Sequence, residues 1–210
     1  MKRKPSCKLC RRLGVKLFLK GERCFTQKCA FLKRPYPPGI KGKRRKPPLS
    51  EYGEQLREKQ KLKQIYGIGE RQLKKYVKEV LKKKGKTLDL GDELIKKLEL
   101  RLDRVVYQLG FATSQAQARQ LVSHGYFLVN DEPVNIPSFE LKLGDKISLR
   151  PTKKNKKIIE FIKLRIKSQK VPSWLKLDPE KLEGKVENTP KLKDISPPFN
   201  TSKIFEFYSK

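Results

Sequence analysis

Four cysteines within the first 29 residues constrain the fold of this chain more than any other feature. They form two close pairs with the spacing C-x2-C, thirteen residues, then C-x4-C. Two pairs of thiolates at such a spacing are typical of one tetrahedral zinc site that folds the chain around it. The sequence therefore predicts an N-terminal knuckle with structural zinc, whose ligands are Cys7, Cys10, Cys24 and Cys29.

Other uses of the four cysteines stay open at this stage. Disulfides are disfavoured because the start MKRKPSCKLC lacks the apolar core of a signal peptide, so that a reducing compartment is expected. An iron–sulfur cluster would need the same number of thiolates, but nothing else in the chain indicates redox chemistry. Four buried free thiols are the remaining alternative.

The charge of the chain indicates a polyanionic partner. Lys and Arg total 52 against 22 Asp and Glu, which gives a formal net charge of +30. Residues 1–48 contain 17 Lys and Arg and a single acid, Glu22. Nucleic acid is favoured over a membrane surface, because each phosphate contact also releases a condensed counterion. The chain has no apolar run of about 18 residues, so no membrane partner is expected.

A basic, proline-rich strap follows the cysteines. The stretch KRPYPPGIKGKRRKPP combines cations with Tyr36 and with prolines that oppose a helix. This composition suits an extended segment that tracks an RNA backbone and stacks on an exposed base. The alternative is a solvated, disordered tail. Residues 1–48 are therefore predicted to be a zinc knuckle and basic strap.

Periodicity predicts an α+β fold for the rest of the chain. Helical spacing of apolar residues indicates a helical domain over 49–100. Two short helices, ending at Gly110 and Gly125, precede two β-rich runs, so 101–165 is predicted to be a small inserted domain of two helices and an antiparallel sheet. The segment 166–210 is expected to be largely extended and to pack back on the helical domain through its aromatic residues.

The pattern expected of an enzyme does not appear in the sequence. His124 is the single histidine, and it lies at the end of a predicted helix, where a cap is its simplest role. A histidine pair for metal hydrolysis is therefore excluded, and no catalytic triad is expected around a histidine in that position. The stretch GIGERQ is too short for a dinucleotide fingerprint and is better explained as a helix connection.

Several stretches resemble, in order, the bacterial type of the small-subunit ribosomal protein four family. They are CKLCRRLGVKLFLKGERCFTQKCA, RPYPPG, LELRLDRVVYQLGFA, QARQLVSHG, VNIPS and FEFYSK. The resemblance covers nearly the whole chain and is weakest over 178–200. Residues 101–165 resemble the small RNA-binding domain that takes its name from this family, which implies that the inserted helix–helix–antiparallel-sheet domain binds RNA.

The resemblance implies a structural, non-enzymatic component of the small ribosomal subunit. Such a protein binds small-subunit ribosomal RNA early in assembly and organises a helix junction in the 5′ domain. It lies beside the mRNA entry path, near ribosomal proteins five and three, and influences translational accuracy. The implied location is the small subunit in the cytoplasm, with an organelle ribosome as the other possibility.

The resemblance also implies an RNA-facing set of residues. Carried over position by position, it comprises Arg44, Arg45, Tyr52, Lys59, Lys61, Arg71, Arg101, Arg104, Arg119 and His124. The chain departs from the family pattern at Gln115 and Ala116, where cations are frequent, and in the strap at Ile40. Lys41 and Lys43 are expected to bind RNA in place of the usual strap residues.

Two rival functions use the same small domain. An RNA-modifying enzyme, such as a pseudouridine synthase, would need a large catalytic domain, for which the flanking segments leave no room. The alternative of a stress factor that binds stalled ribosomal particles leaves the zinc knuckle and the basic strap unexplained. Stoichiometric residence in small subunits on a sucrose gradient separates the ribosomal protein from both rivals.

Overall fold

Both ends of the chain contribute to one of its two structural units. The computed structural model describes residues 6–44, 47–83, 89–153, 160, 162–166 and 169–209. The first unit combines Met1–Lys84 with Pro197–Lys210, and the second is Gly85–Ser196.

The helices of the first unit begin and end where capping residues and glycines predict. Ser50 is the N-cap of one helix, and its hydroxyl accepts a hydrogen bond from the Gly53 N–H at 3.3 Å. Gly67 follows that helix in a left-handed conformation, with φ of 61°, which ends it. The helices are α1 (Ser6–Leu13), α2 (Ala30–Lys33), α3 (Glu51–Ile65), α4 (Glu70–Leu81) and, at the chain end, α10 (Thr201–Ser209).

The last helix, α10, corrects the prediction of an extended C-terminus. Asn200 begins it, because its side chain accepts a hydrogen bond from the Ser202 N–H at 2.9 Å. Ile204 is fully buried, and Phe207 and Tyr208 follow at the i+3 and i+4 positions of the same face. The helix packs on α3, so this part of the segment does lie against the helical unit.

In the second unit, short helices pack on an antiparallel sheet. The helices are α5 (Leu90–Glu99), α6 (Leu102–Gln108), α7 (Gln115–Ser123), α8 (162–166) and α9 (Leu192–Ile195). Gly110 and Gly125 follow α6 and α7 with positive φ, as their predicted stop positions require. The spacing of Ile158, Ile159, Ile162 and Ile166 predicts a helix that includes α8, and the first two of these residues lie outside the described part of the chain.

The sheet of the second unit is larger than the sequence predicts. Its strands are β1 (Phe127–Val129), β2 (Glu132–Pro133), β3 (Lys146–Leu149), β4 (Leu175–Asp178) and β5 (Glu183–Val186). Within the described residues they pair in the order β2-β1-β3-β5-β4, and every pair is antiparallel. The prediction for 166–210 was therefore wrong for β4 and β5, which extend this sheet.

Gly184 allows α6 to lie close to the sheet. A Cβ atom at this position would be 2.3 Å from the Leu109 Cδ1 atom, well inside van der Waals contact. Gly184 also pairs with Ile147 of β3, so the glycine joins β5 to the predicted part of the sheet. The core around this contact is formed by residues including Leu102, Val105, Phe111, Phe127, Ile147, Trp174 and Val186.

No helix in the described parts of the chain has the length and apolar character needed to cross a membrane.

Candidate nucleic-acid interface and cysteine cluster

The four cysteines line one small pocket of the first unit. Cys7 and Cys10 lie nearly one turn apart on α1, Cys24 ends a 3-10 turn, and Cys29 is the N-cap residue of α2. Lys16 and Lys20 line the same pocket. All four residues are free thiols, which disagrees with the disulfide alternative.

Burial and neighbouring groups shift the pKa of the Cys10 thiol. Burial raises the pKa of Cys10, as do the other three cysteines, while a hydrogen bond with the Leu17 backbone lowers it. The Lys20 N–H donates to the Cys24 Sγ at 3.4 Å. Among the residues that the structure describes, no group of three or more His, Cys, Asp or Glu side chains is arranged to hold a metal. The structure thus brings the predicted ligands together without the arrangement of a formed zinc site.

Residues 36–44 of the basic strap form an ordered turn that is held against α1. The Arg11 Nε donates to the Tyr36 carbonyl at 2.9 Å. The Tyr36 ring also lies near two cations, 5.1 Å from the Arg11 guanidinium carbon and 5.4 Å from the Lys43 Nζ. Gly42 closes the turn, since its N–H donates to the Gly39 carbonyl at 3.1 Å. The disordered-tail alternative therefore does not describe 36–44.

Seven of the residues in the predicted RNA-facing set are exposed to solvent. Arg45, the next cation of the strap, lies outside the described residues. The exposed residues are Lys41, Lys43, Arg44, Tyr52, Arg71, Arg119 and His124.

Lys59 does not belong to an exposed RNA face. It is only 6% exposed, and its Nζ donates to the Glu70 Oε1 at 2.8 Å and lies 4.0 Å from the centre of the Phe207 ring. Lys61 also has a partner within the protein, since its Nζ donates a hydrogen bond to the Glu58 carboxylate at 2.7 Å. Lys59 is therefore corrected from an RNA contact to a residue that holds α10. This role depends on the packing of α10 on α3, which the sequence does not show.

Glu70 is the centre of this partly buried network. Its carboxylate accepts hydrogen bonds from Lys59, from the Tyr208 hydroxyl at 2.8 Å and from Lys63 at 3.1 Å. Burial alone would raise the pKa of Glu70, but these hydrogen bonds outweigh it and lower the pKa to about 2. Burial and the hydrogen bond to Glu70 raise the pKa of Tyr208. The network ties α3, the start of α4 and α10 together.

Arg101 is the second correction to the RNA-facing set. It is 1% exposed, and its Nε and Nη2 donate to the two carboxylate oxygens of Asp103 at 3.0 and 2.9 Å. Burial raises the pKa of Asp103, and the bonds from Arg101 oppose that effect. Arg104 is partly exposed and donates to Glu99 at 3.0 Å. Arg101 therefore stabilises the start of α6, and Arg104 retains only part of its surface for a partner.

An exposed aromatic pair, which no sequence pattern predicted, lies between the second and fourth cysteines. Phe18 and Phe25 stack with ring centroids 5.0 Å apart. Lys16 lies over both rings, with its Nζ 5.2 Å from the Phe18 centroid and 6.0 Å from that of Phe25. The available sequence signal was the presence of aromatic residues among cations, beside the more conspicuous cysteines.

Comparison with known proteins decides the family. Residues 1–99 match the model for the ribosomal protein S4/S9 N-terminal domain, and 100–147 match the S4 domain. The chain is 52% identical over 206 residues to small ribosomal subunit protein uS4 of Caldicellulosiruptor saccharolyticus, covering 98% of this chain and 97% of that protein. The chain belongs to the uS4 family. The resemblance predicted from the sequence is therefore confirmed.

Other uS4 relatives match over the same length. The protein of Thermus thermophilus is 48% identical over 206 residues, covering 98% of this chain and 97% of the relative. That of Dictyoglomus turgidum is 50% identical over 209 residues, with the same coverage. These relatives are named as ribosomal proteins, not as enzymes. The S4 domain match ends at residue 147, within β3, so β4 and β5 extend the sheet beyond the matched region.

Proposed function

We propose that this protein is a structural, non-enzymatic component of the small ribosomal subunit in the cytoplasm and that it binds ribosomal RNA. The observation that carries this proposal is membership of the uS4 family over 98% of the chain. The net charge of +30 and the exposed cations of the ordered strap support it, because both suit a phosphate backbone. Its test is co-sedimentation with small subunits at one copy per particle on a sucrose gradient, and absence from the particles would reject it.

The finer placement within the subunit follows from the family resemblance. The protein organises a helix junction in the 5′ domain of the ribosomal RNA during assembly. It lies beside the mRNA entry path, near ribosomal proteins five and three, and influences translational accuracy. Exposed cations dispersed over several elements suit recognition of RNA by shape and backbone. A footprint of the full protein on its own small-subunit RNA tests this placement, and protection confined to another domain of that RNA would contradict it.

The proposed RNA face consists of the exposed members of the predicted set. Arg45 is retained from the sequence prediction. Lys59 and Arg101 are excluded by burial, and Lys61 and Arg104 are secondary because each pairs with a carboxylate. The proposed contacts are Lys41, Lys43, Arg44, Arg45, Tyr52, Arg71, Arg119 and His124.

Structural zinc is proposed for the cysteine pocket. Four thiols that line one pocket match the donor chemistry that zinc prefers. Cys7, Cys10, Cys24 and Cys29 would hold the ion, which would supply a cross-link between α1 and α2. Metal analysis of the purified protein is expected to give one zinc per chain, and less than about a tenth of an equivalent with four titratable thiols would refute the site.

A further inference from the structure

The aromatic pair Phe18 and Phe25 lies exposed at the surface of the first unit. Phe18 is 40% exposed and Phe25 is 69% exposed, and their planes are inclined by 29°. Large aromatic side chains stabilise a fold mainly through burial, so a stacked pair left in water contributes little to stability. Exposed apolar surface of this kind marks an interaction site.

The backbone is strained at the residue that directs this pair outward. Phe18 has φ of 52°, in the left-handed region that a bulky residue rarely adopts. The preceding Leu17 is buried with Cys10 and Leu13 in the small core of the knuckle. The unusual conformation thus lets Leu17 enter that core while the Phe18 ring stays at the surface beside Phe25. Backbone strain of this kind concentrates at binding sites.

The charge around the pair selects the kind of partner. Residues 15–29 contain four cations and one acid, and Lys16 lies over both rings. Lys20, Arg23 and Lys28 are exposed in the same segment. A flat aromatic surface surrounded by cations is complementary to a nucleobase with its neighbouring phosphates. A purely apolar patch on a protein neighbour would not need these cations.

We propose that Phe18 and Phe25 form a stacking platform for an unpaired base of the ribosomal RNA, with Lys16 binding an adjacent phosphate. The base stacks on the exposed face of Phe25, and the Phe18 ring supports Phe25 from behind. This inference rests on the proposed function, because it specifies how the cysteine segment contacts the RNA. It gives that segment a base contact in addition to the phosphate contacts of the strap.

The test measures binding of the full chain to a transcript of its own small-subunit RNA 5′ domain. Phe25→Leu keeps an apolar side chain but removes the aromatic face, and is expected to weaken binding about tenfold. Phe25→Tyr keeps the face and is expected to bind within about twofold of the unchanged protein. Leu32→Ala, which removes another exposed apolar side chain, from α2, is the matched control and is expected to leave affinity unchanged.

The salt dependence separates the platform from the phosphate contacts. Phe25→Leu is expected to leave the slope of log affinity against log salt unchanged, whereas Lys16→Gln is expected to reduce its magnitude by about one. Phe25→Trp supplies a direct readout: its emission is expected to be quenched on RNA binding, while Trp174 is buried in the other unit and serves as background. Leu32→Trp is expected to show no quenching.

The outcomes distinguish this inference from the proposed function. If the unchanged protein fails to bind the transcript, the proposed function fails. If the unchanged protein binds and Phe25→Leu binds equally well, the stacking platform is refuted while the function stands. Normal RNA binding by Phe25→Leu, combined with loss of the variant from assembled small subunits, would assign the pair to a protein neighbour and also overturn the platform. Thermal melting of each variant confirms that the fold is retained.

Discussion

The lowered pKa of Glu70, in the network that holds α10, leads to a prediction about the stability of the fold in acid. Its pKa in the folded protein is about 2, below its ordinary 4.5, so the ionised form stabilises the fold at pH above about 4.5. This contribution is lost as the pH falls from about 4.5 to about 2. Glu70→Gln is expected to lower the free energy of unfolding by about 1–2 kcal/mol at neutral pH, because Lys59 is left buried without a full counter-charge.

Urea denaturation at a series of pH values measures this effect. The carboxylate side chain is 42% exposed, so solvent screening keeps the expected loss well below that of a fully buried pair. Glu79→Gln is the matched control on the same helix, because the Glu79 carboxylate lies 3.9 Å from the Nζ of Lys75, whose side chain is 68% exposed. It is expected to change stability by less than about 0.5 kcal/mol. Equal losses for both variants would contradict the role given to the network.

A second prediction concerns Gly42, which closes the ordered turn of the strap. A Cβ at this position would lie 2.0 Å from the Pro37 carbonyl oxygen, so an alanine requires the turn to open. Gly42→Ala is expected to increase protease cleavage within 36–44 and to weaken RNA binding about tenfold, because Lys41 and Lys43 lose their fixed positions. Gly69→Ala has open space around its Cβ and is the control. Identical cleavage of the two variants would show that the turn does not order the strap.

Individual side chains show why part of the candidate site was beyond the reach of sequence. The cysteine pocket and the exposed strap cations were predicted, since spacing and local charge suffice for them. Lys59 and Arg101 have the sequence context of surface cations, and their burial depends on Glu70 and Asp103 in folded geometry. Phe18 was missed because its left-handed backbone, which places the ring outward, has no sequence signature in a non-glycine residue.

Among the secondary-structure elements, α3, α6 and α7 could be predicted from the sequence, whereas α10 could not. The first three carry caps, apolar periodicity and terminal glycines, so local rules predict them. Helix α10 is short and follows prolines, and its stability comes from packing on α3, which no local pattern reveals. Strands β4 and β5 depend in the same way on pairing with β3, from which they are distant in sequence.

The docking of α10 predicts a selective effect of truncation. Removal of 201–210 deletes the Tyr208 bond to Glu70, the Gln55 bond to Glu206 and the buried Ile204. The first unit is expected to lose about 3–5 kcal/mol of stability, comparable to the deletion of a large buried side chain together with its hydrogen bonds. The second unit is expected to keep its protection, because its core does not include α10.

Hydrogen exchange of the truncated and intact chains measures both units in one experiment. Exchange in α3 and α4 should accelerate while exchange in β1, β3 and β5 stays unchanged. Tyr208→Phe serves as the mild counterpart, with an expected loss of about 1 kcal/mol confined to the first unit. Unchanged exchange in α3 after truncation would rule out α10 as a stabilising element.

For the whole molecule, the net charge of +30 predicts a steep dependence of RNA affinity on salt. With about six phosphate contacts, the slope of log affinity against log salt is expected to be about −4 to −5. Neutralising Lys41 and Lys43 together should reduce the magnitude of the slope by about two. The charge-matched control neutralises Lys181, which precedes β5, and Lys185, which lies in it, and should leave the slope unchanged. A flat dependence for the unchanged protein would refute the electrostatic account of binding.

The division of the first unit between both ends of the chain has a consequence for the timing of biosynthesis. Met1–Lys84 is synthesised before Gly85–Ser196, and Pro197–Lys210 is synthesised after it. Until α10 emerges, Lys59 and Glu70 have no covering helix, while the strands of Gly85–Ser196 can already pair. The packing of α10 on α3 is therefore completed only after the strands of the second unit have been synthesised.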